Sequence, residues 1–171
     1  MATNLILYDG AVGDTQNFGS STVGFLQSFL FSAPALVTGF RMKGSRGISW
    51  AGGTMTVKIR QDTYNGTVLY SETFNTSILP AYTASPTMQT IAFTTPTFIP
   101  DSSKTYFLEI KVVTGNINDE ARWSADIASP TYANGTEWDT AGVQYTGRDC
   151  NFGIDGSYIS PNTNNFFMLR M

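Results

Sequence analysis

The sequence predicts an all-β fold, an antiparallel jelly-roll-like β-sandwich in which residues 1–171 form a single domain. Apolar and polar residues alternate at period two in several segments, as in strands with one buried face. Turn-forming pairs recur roughly every dozen residues, as an antiparallel sandwich requires; they include Asp9-Gly10, Asn65-Gly66, Asn134-Gly135 and Asp155-Gly156. Charged residues make up only 13% of the chain, against about 25% in average soluble domains. The surface therefore consists mainly of Thr, Ser, Asn and Gly, which suits strands and turns.

The strand candidates follow the chain in order. Residues 54–60 alternate most clearly, and they predict one buried face formed by Met55, Val57 and Ile59. Residues 104–113 place Tyr106, Leu108, Ile110 and Val112 on one face. Residues 23–31 carry aromatic side chains in phase, interrupted by Gln27. Weaker candidates are residues 5–8, 36–42, 67–74, 88–93, 121–125, 142–145, 151–154 and 165–169. No window shows helical periodicity with caps, so we expect no long helix.

Charge and hydropathy exclude several classes of protein. The net charge is −3, and the densest cationic group is Arg41, Lys43 and Arg46, so we expect no nucleic-acid-binding face. No apolar run approaches the ~20 residues that span a membrane. The N-terminus lacks the basic and apolar regions of a signal peptide, so we expect a protein that is not secreted by that route. Cys150 is the single cysteine and cannot form an intrachain disulfide.

A series of short motifs adds a resemblance to a known family. The motifs are Gln27-Ser28-Phe29, the Gly-Gly strand at 52–60, the strand at 104–110, Trp123, Tyr132-Ala133-Asn134-Gly135 and the segment 151–156. Their order and spacing over residues 24–156 resemble the choice-of-anchor β-sandwich domains of bacterial surface proteins, which also occur in phage virion proteins. The resemblance implies a jelly-roll-like sandwich with no catalytic residues to carry over. The missing signal peptide and anchor favour a virion component that is assembled in the host cytoplasm.

The residue types give little support for catalysis. The chain contains no histidine, which removes the commonest general base, the usual nucleophile partner and the commonest zinc ligand. Phosphate-binding glycine motifs are also absent. We therefore expect a protein that is not an enzyme. A glycosidase or lyase built on paired carboxylates remains an alternative, although Glu109 and Glu72 read as solvated positions on strand faces.

Two clusters are candidate binding sites. Oxygen-bearing side chains in one loop are the ligands that calcium, the one candidate cofactor, prefers; they are Asn116, Asn118, Asp119 and Glu120. Loop capping by the same carboxylates is the simpler interpretation. A Gly-rich stretch combines aromatic rings that can stack on sugars with polar groups that can bind hydroxyls; its members are Tyr132, Asn134, Trp138, Asp139, Gln144 and Tyr145. The alternative is that Trp123 and Trp138 are core residues.

These observations predict a structural protein of a bacteriophage virion, such as a capsid decoration, head-fibre, spike or tail-associated module. Its expected partners are other virion proteins of the capsid or tail, a second copy of the chain in a homo-oligomer, and a surface glycan. The alternative function is a carbohydrate-binding or adhesin module of a larger surface assembly.

Overall fold

The computed structural model describes residues 3–11, 14–17, 24–47, 50–82, 86–99, 101–115, 121–127 and 131–159. These residues form two antiparallel sheets that pack face to face, which confirms the predicted all-β sandwich. The strands are β1 Thr3–Tyr8, β2 Asp14–Asn17, β3 Phe25–Leu30, β4 Ala35–Ser45, β5 Thr54–Gln61, β6 Thr67–Asn75, β7 Met88–Ile99, β8 Thr105–Thr114, β9 Arg122–Asp126, β10 Glu137–Asp139, β11 Gln144–Tyr145, β12 Asp149–Cys150 and β13 Phe152–Tyr158. A 3₁₀ turn, Thr76–Ile78, is the only helical element in these ranges.

The chain crosses repeatedly between the two sheets. Sheet I has the strand order β1-β13-β4-β9-β12, with β7 also paired to β4 and β2 also paired to β9. Sheet II has the order β11-β10-β3-β8-β5-β6. Successive strands from β3 to β5, and again from β6 to β10, alternate between the sheets. This alternation gives the sandwich its jelly-roll-like connectivity.

The core lies between the sheets, on the faces that the period-two pattern predicts. On β5, Met55, Val57 and Ile59 are fully buried, and the predicted inward residues of β8 are at most 1% exposed. The ring of Phe29 lies 5.3, 6.0 and 5.9 Å from the rings of Phe31, Tyr106 and Phe152, respectively. Full burial of one such ring stabilises the fold by about 1.5–3 kcal/mol, so this aromatic cluster helps to hold the two sheets together.

Gln27, the residue that interrupts the aromatic pattern of β3, cross-links the sheets within this core. Its side chain is fully buried. The amide nitrogen donates to Asp149 Oδ1 at 3.1 Å, and the amide oxygen accepts the backbone N–H of Cys150 at 2.7 Å. Because β3 belongs to sheet II and β12 to sheet I, these two bonds join the sheets through one side chain.

Three short strands, β2, β10 and β12, were not predicted, because segments of two to four residues are too short for a period-two pattern. The predicted strand at 165–169 lies outside the described residues. Trp123 is fully buried, and its indole N–H donates to the carbonyl of Asn151 at 2.7 Å, so its assignment to the core is confirmed. In the described parts of the chain, no helix is long and apolar enough to cross a membrane.

Candidate functional site

The outer face of sheet II carries a row of side chains that crosses all six strands. Directly opposite residues of neighbouring strands lie on the same face of a sheet. The register therefore places the following residues side by side: Gln144, Trp138, Leu26, Glu109, Lys58 and Ser71. Two residues of the predicted glycan site, Trp138 and Gln144, thus share this face.

The aromatic part of this face is held in place by its neighbours. Tyr64, from the loop between β5 and β6, stacks on Trp138 with ring centroids 5.8 Å apart and planes 6° apart. Phe107 meets Trp138 edge-on at 6.2 Å. Gly142 approaches Tyr64 so closely that an added Cβ atom would lie 2.7 Å from the ring, and its φ of +92° favours glycine. The stack is therefore a fixed pair of half-buried rings, and Trp138 is not a core residue.

The charged part of this face is centred on a buried carboxylate. Glu109 is only 2% exposed; it forms a salt bridge with Lys58 Nζ at 3.3 Å and a second one with Arg60 Nε. Arg60 also donates to the carbonyl of Gly66 at 3.1 Å, which connects it to the loop that carries Tyr64. The prediction that Glu109 faces outward is correct, but the prediction that it is solvated is wrong, because the two cationic side chains cover it.

The prediction that Glu72 is solvated on a strand face is also wrong. It lies opposite Val57, on the core side of the edge strand β6. Its carboxylate accepts the backbone N–H of Thr94 at 3.0 Å, together with the hydroxyl groups of Thr94 and Tyr70. Burial acts to raise the pKa of Glu72, but these hydrogen bonds outweigh it and leave the pKa below its ordinary value. Glu72 therefore closes one side of the sandwich.

Two more residues of the predicted glycan site, Asp139 and Tyr145, point to the core side of sheet II. Tyr145 lies opposite Glu137, one position out of phase with Trp138. Its hydroxyl donates to Asp139 Oδ2 at 3.1 Å. Asp139 also accepts the backbone N–H groups of Ala141 and Val143, each at 2.9 Å. These bonds shape the hairpin between β10 and β11, so both side chains have a structural role.

The remaining two predicted residues, Tyr132 and Asn134, line a groove of about 430 Å³ beside β1, which we call the β1 groove. Its other lining residues are Leu5, Ile6, Leu7, Leu30, Phe31, Ser32 and Tyr158. The ring of Tyr132 packs against those of Tyr8 and Phe152 at 5.7 and 5.2 Å. Burial raises the pKa of Tyr132. The six predicted residues therefore fall into three separate places.

Exposed apolar side chains surround the β1 groove. Leu7, Leu30 and Tyr158, which line it, are 48%, 40% and 42% exposed. Ile159, which follows Tyr158, is 41% exposed, and its N–H donates to the carbonyl of Pro34. Scattered exposed apolar residues are ordinary, but a contiguous group around a groove is typical of a contact surface.

Two buried carboxylates lie opposite each other on β9 and β12. Asp126 accepts the hydroxyl of Tyr8 at 3.1 Å and the N–H of Ala11 at 3.3 Å. Asp149 accepts from Gln27 and from the N–H of Tyr132. Burial raises the pKa of Asp149, hydrogen bonds from Gln27 and Tyr132 reduce this effect, and the charge of Asp126 adds to it. Neither carboxylate lines the β1 groove. The pair is therefore not placed to act on a substrate that is bound in that groove.

The four predicted calcium ligands, residues 116 and 118–120, lie outside the described residues, so the calcium site stays a prediction. Among the residues that the structure does describe, no group of three or more acidic or cysteine side chains could hold a metal ion.

No protein-family model matches this chain, and no curated protein matches its sequence. The β1 groove and the outer face of sheet II are therefore the starting points for a functional proposal.

Proposed function

We propose that the chain is a structural module of a bacteriophage virion, in the class of capsid decoration, head-fibre, spike or tail-associated proteins, and that it works by docking without catalysis. The observation that supports this most directly is the β1 groove with its exposed apolar lining residues Leu7, Leu30 and Tyr158. Apolar and aromatic residues of this kind form the centres of protein interfaces, whereas charged residues are depleted there. The neighbouring virion protein would bury these lining residues.

The backbone of β1 adds a second means of attachment. Within the described residues, β1 pairs with β13 and with no other strand, so it forms an edge of sheet I. An edge strand offers N–H and C=O groups that a strand of a partner can pair with. The groove and this edge are contiguous, because Leu5, Ile6 and Leu7 belong to both.

A charge introduced at one of these lining residues tests the docking surface. Leu7→Asp places a carboxylate where the partner would cover it. The control Val143→Asp introduces a carboxylate in place of another apolar side chain of similar exposure, 49% against 48%, on the β10–β11 turn. Burial of one leucine contributes about 1.5–3 kcal/mol, so Leu7→Asp should reduce incorporation into particles by about tenfold or more. Val143→Asp should be incorporated like the wild type.

The assay is co-sedimentation of tagged variants with particles, followed by quantitative mass spectrometry of the purified virions. Circular dichroism checks that both variants are folded. If the wild-type chain is absent from purified particles, the virion function is refuted. If both variants are incorporated equally, the chain docks by a surface other than the β1 groove.

A carbohydrate-binding or adhesin module is the second candidate, and one observation favours it. Trp138, Tyr64 and Gln144 form an aromatic and amide surface on the outer face of sheet II. Trp138→Ala should abolish binding on a glycan array, whereas the control Trp50→Ala, which alters another half-buried tryptophan, should preserve it. Unchanged glycan binding by Trp138→Ala would contradict this assignment.

A further inference from the structure

A cleft of about 520 Å³ opens in sheet I where the pairing of β4 with β7 is interrupted. Val37 lies opposite Thr97 and Gly39 lies opposite Ala92, so residues 93–96 of β7 have no partner on β4. On the other side of β4, Gly39 lies opposite Asp155 and Val37 opposite Gly156, which leaves Thr38 without a partner there as well. The two irregularities lie side by side, and bulges of this kind are frequent next to binding sites.

Contacts with sheet II fix the bulge of β7 in place. The ring of Phe93 stacks on Tyr70 of β6, with centroids 3.9 Å apart. The next residue of β7, Thr94, donates its backbone N–H to Glu72, which lies on β6 together with Tyr70. Pro96 has no N–H to satisfy, which suits it to a position where the ladder is broken. Contacts between β7 and β6 therefore hold the cleft in its shape.

The lining of the cleft combines small, hydroxyl-bearing and apolar residues. An added Cβ at Gly39 would lie 2.6 Å from the carbonyl oxygen of Ile91, and one at Gly156 would collide with that of Leu36, so both positions require glycine. The hydroxyl-bearing members are Thr38, Thr90 and Ser157, and the apolar members include Ala92, Phe93 and Pro96.

One carboxylate, Asp155, also lines the cleft. It is 2% exposed, and Arg41 Nε donates to its two oxygens at 3.0 and 2.9 Å. The guanidinium balances the negative charge, so the cleft does not need a cation. A carboxylate held this way keeps acceptor capacity for hydroxyl groups, since each of its oxygens has more than one lone pair.

We propose that this cleft binds one residue of a neutral saccharide. A sugar ring has apolar C–H faces, which suit Ala92 and Pro96, and hydroxyl groups, which suit Thr38, Thr90, Ser157 and Asp155. The volume lies within the range of about 300–1,000 Å³ that small-molecule sites occupy. The site goes beyond the proposed functions, because it lies in sheet I and shares no residue with the β1 groove or with the Trp138 surface.

Amide chemical shifts give the location of binding directly. The probes are free glucose, galactose, mannose and N-acetylglucosamine at millimolar concentration, each titrated into the ¹⁵N-labelled chain. We expect at least one of them to shift the amide signals of Gly39 and Gly156. Thr90→Val, which removes one hydroxyl, should weaken binding by about two- to tenfold, the equivalent of one hydrogen bond. Ala92→Phe, at an exposed position of β7, should fill the cleft and abolish binding.

The matched control is Thr67→Val, at an exposed position of β6, which should bind like the wild type. Shifts at Trp138 and Gln144 with Gly39 and Gly156 unmoved would overturn the cleft assignment and leave the carbohydrate-binding candidate standing. No shift with any of the four sugars would overturn the saccharide proposal. Neither result affects virion docking, which is tested separately through Leu7.

Discussion

Replacement of Gln27 by leucine tests whether one buried amide joins the two sheets. Leucine is close in size to glutamine, so the change removes the hydrogen bonds while it leaves little empty space. The backbone N–H of Cys150 and Oδ1 of Asp149 would then lose the partners that lie 2.7 and 3.1 Å away. Both groups belong to residues at most 4% exposed, so water cannot readily replace the amide.

The cost follows from these two groups. Each buried donor or acceptor left without a partner costs about 1–3 kcal/mol, so Gln27→Leu should lower the free energy of unfolding by about 2–6 kcal/mol. The full stability of a natural domain is about 5–15 kcal/mol. The substitution should therefore bring the protein close to its unfolding threshold, even though it makes the core more apolar.

Urea unfolding, followed by tryptophan fluorescence, measures this change. The control is Gln89→Leu, the same substitution at a glutamine whose side chain, among the residues that the structure describes, bonds to Thr87, two residues away. The control should stay within about 0.5 kcal/mol of the wild type. If Gln27→Leu also unfolds within that margin, the amide does not hold the sheets together and the reasoning is refuted.

Three further predictions concern single positions. Burial, the largest effect on Asp149, raises the pKa of its carboxyl group above the ordinary 3.8. The folded state therefore binds the proton more tightly than the unfolded state does. As pH rises from about 3.8 through the raised pKa, the stability of the wild type relative to Asp149→Asn should fall. Unfolding free energies across that range measure this trend, and a rising difference would contradict it. Gly142→Ala should destabilise the fold more than Gly147→Ala does. Both positions have positive φ, which costs about 1–2 kcal/mol for alanine, but of the two only Gly142 faces the ring of Tyr64. Urea unfolding of both variants measures the difference, and equal losses of unfolding free energy would show that the ring moves aside. The thiol of Cys150 is fully buried, and burial raises its pKa well above the ordinary value, so a thiol reagent should label it only in urea; rapid labelling of the native protein would disprove its burial.

Much of the fold could be predicted from the sequence because period two is a local signal. Met55, Val57 and Ile59 show their common face within a few residues, and the structure buries all three. The same signal does not show which residues will be the hydrogen-bond partners of a buried polar side chain. Gln27 interrupts the pattern of β3 visibly, but the residues that satisfy it are 122 and 123 positions away in sequence. No spacing along the chain could have identified Asp149 and Cys150 as its partners.

The candidate sites were harder to predict because sequence proximity is a poor guide to which face of a sheet a side chain lies on. Trp138 and Asp139 are adjacent in sequence, yet they point to opposite sides of sheet II, since neighbouring residues of a strand alternate. Glu109 shows a second limit. Its outward phase is visible in the sequence, but its burial depends on Lys58 and Arg60, which the pairing of β5 with β8 brings alongside it.

Each candidate surface lies where the regular pairing of strands ends or is broken. The β1 groove follows a sheet edge, the Trp138 surface depends on the loop that carries Tyr64, and the cleft in sheet I opens at the bulge of β7. A regular ladder satisfies its own backbone groups and leaves a flat surface, whereas an edge or a bulge leaves backbone groups and concavities that a ligand can use. A period-two pattern predicts where pairing is regular, and for this reason it predicted most strands of this protein but not how the candidate surfaces are assembled. Within such a sandwich, candidate binding residues are therefore best sought at breaks in the pattern, as at Thr38, Gly39 and residues 93–96.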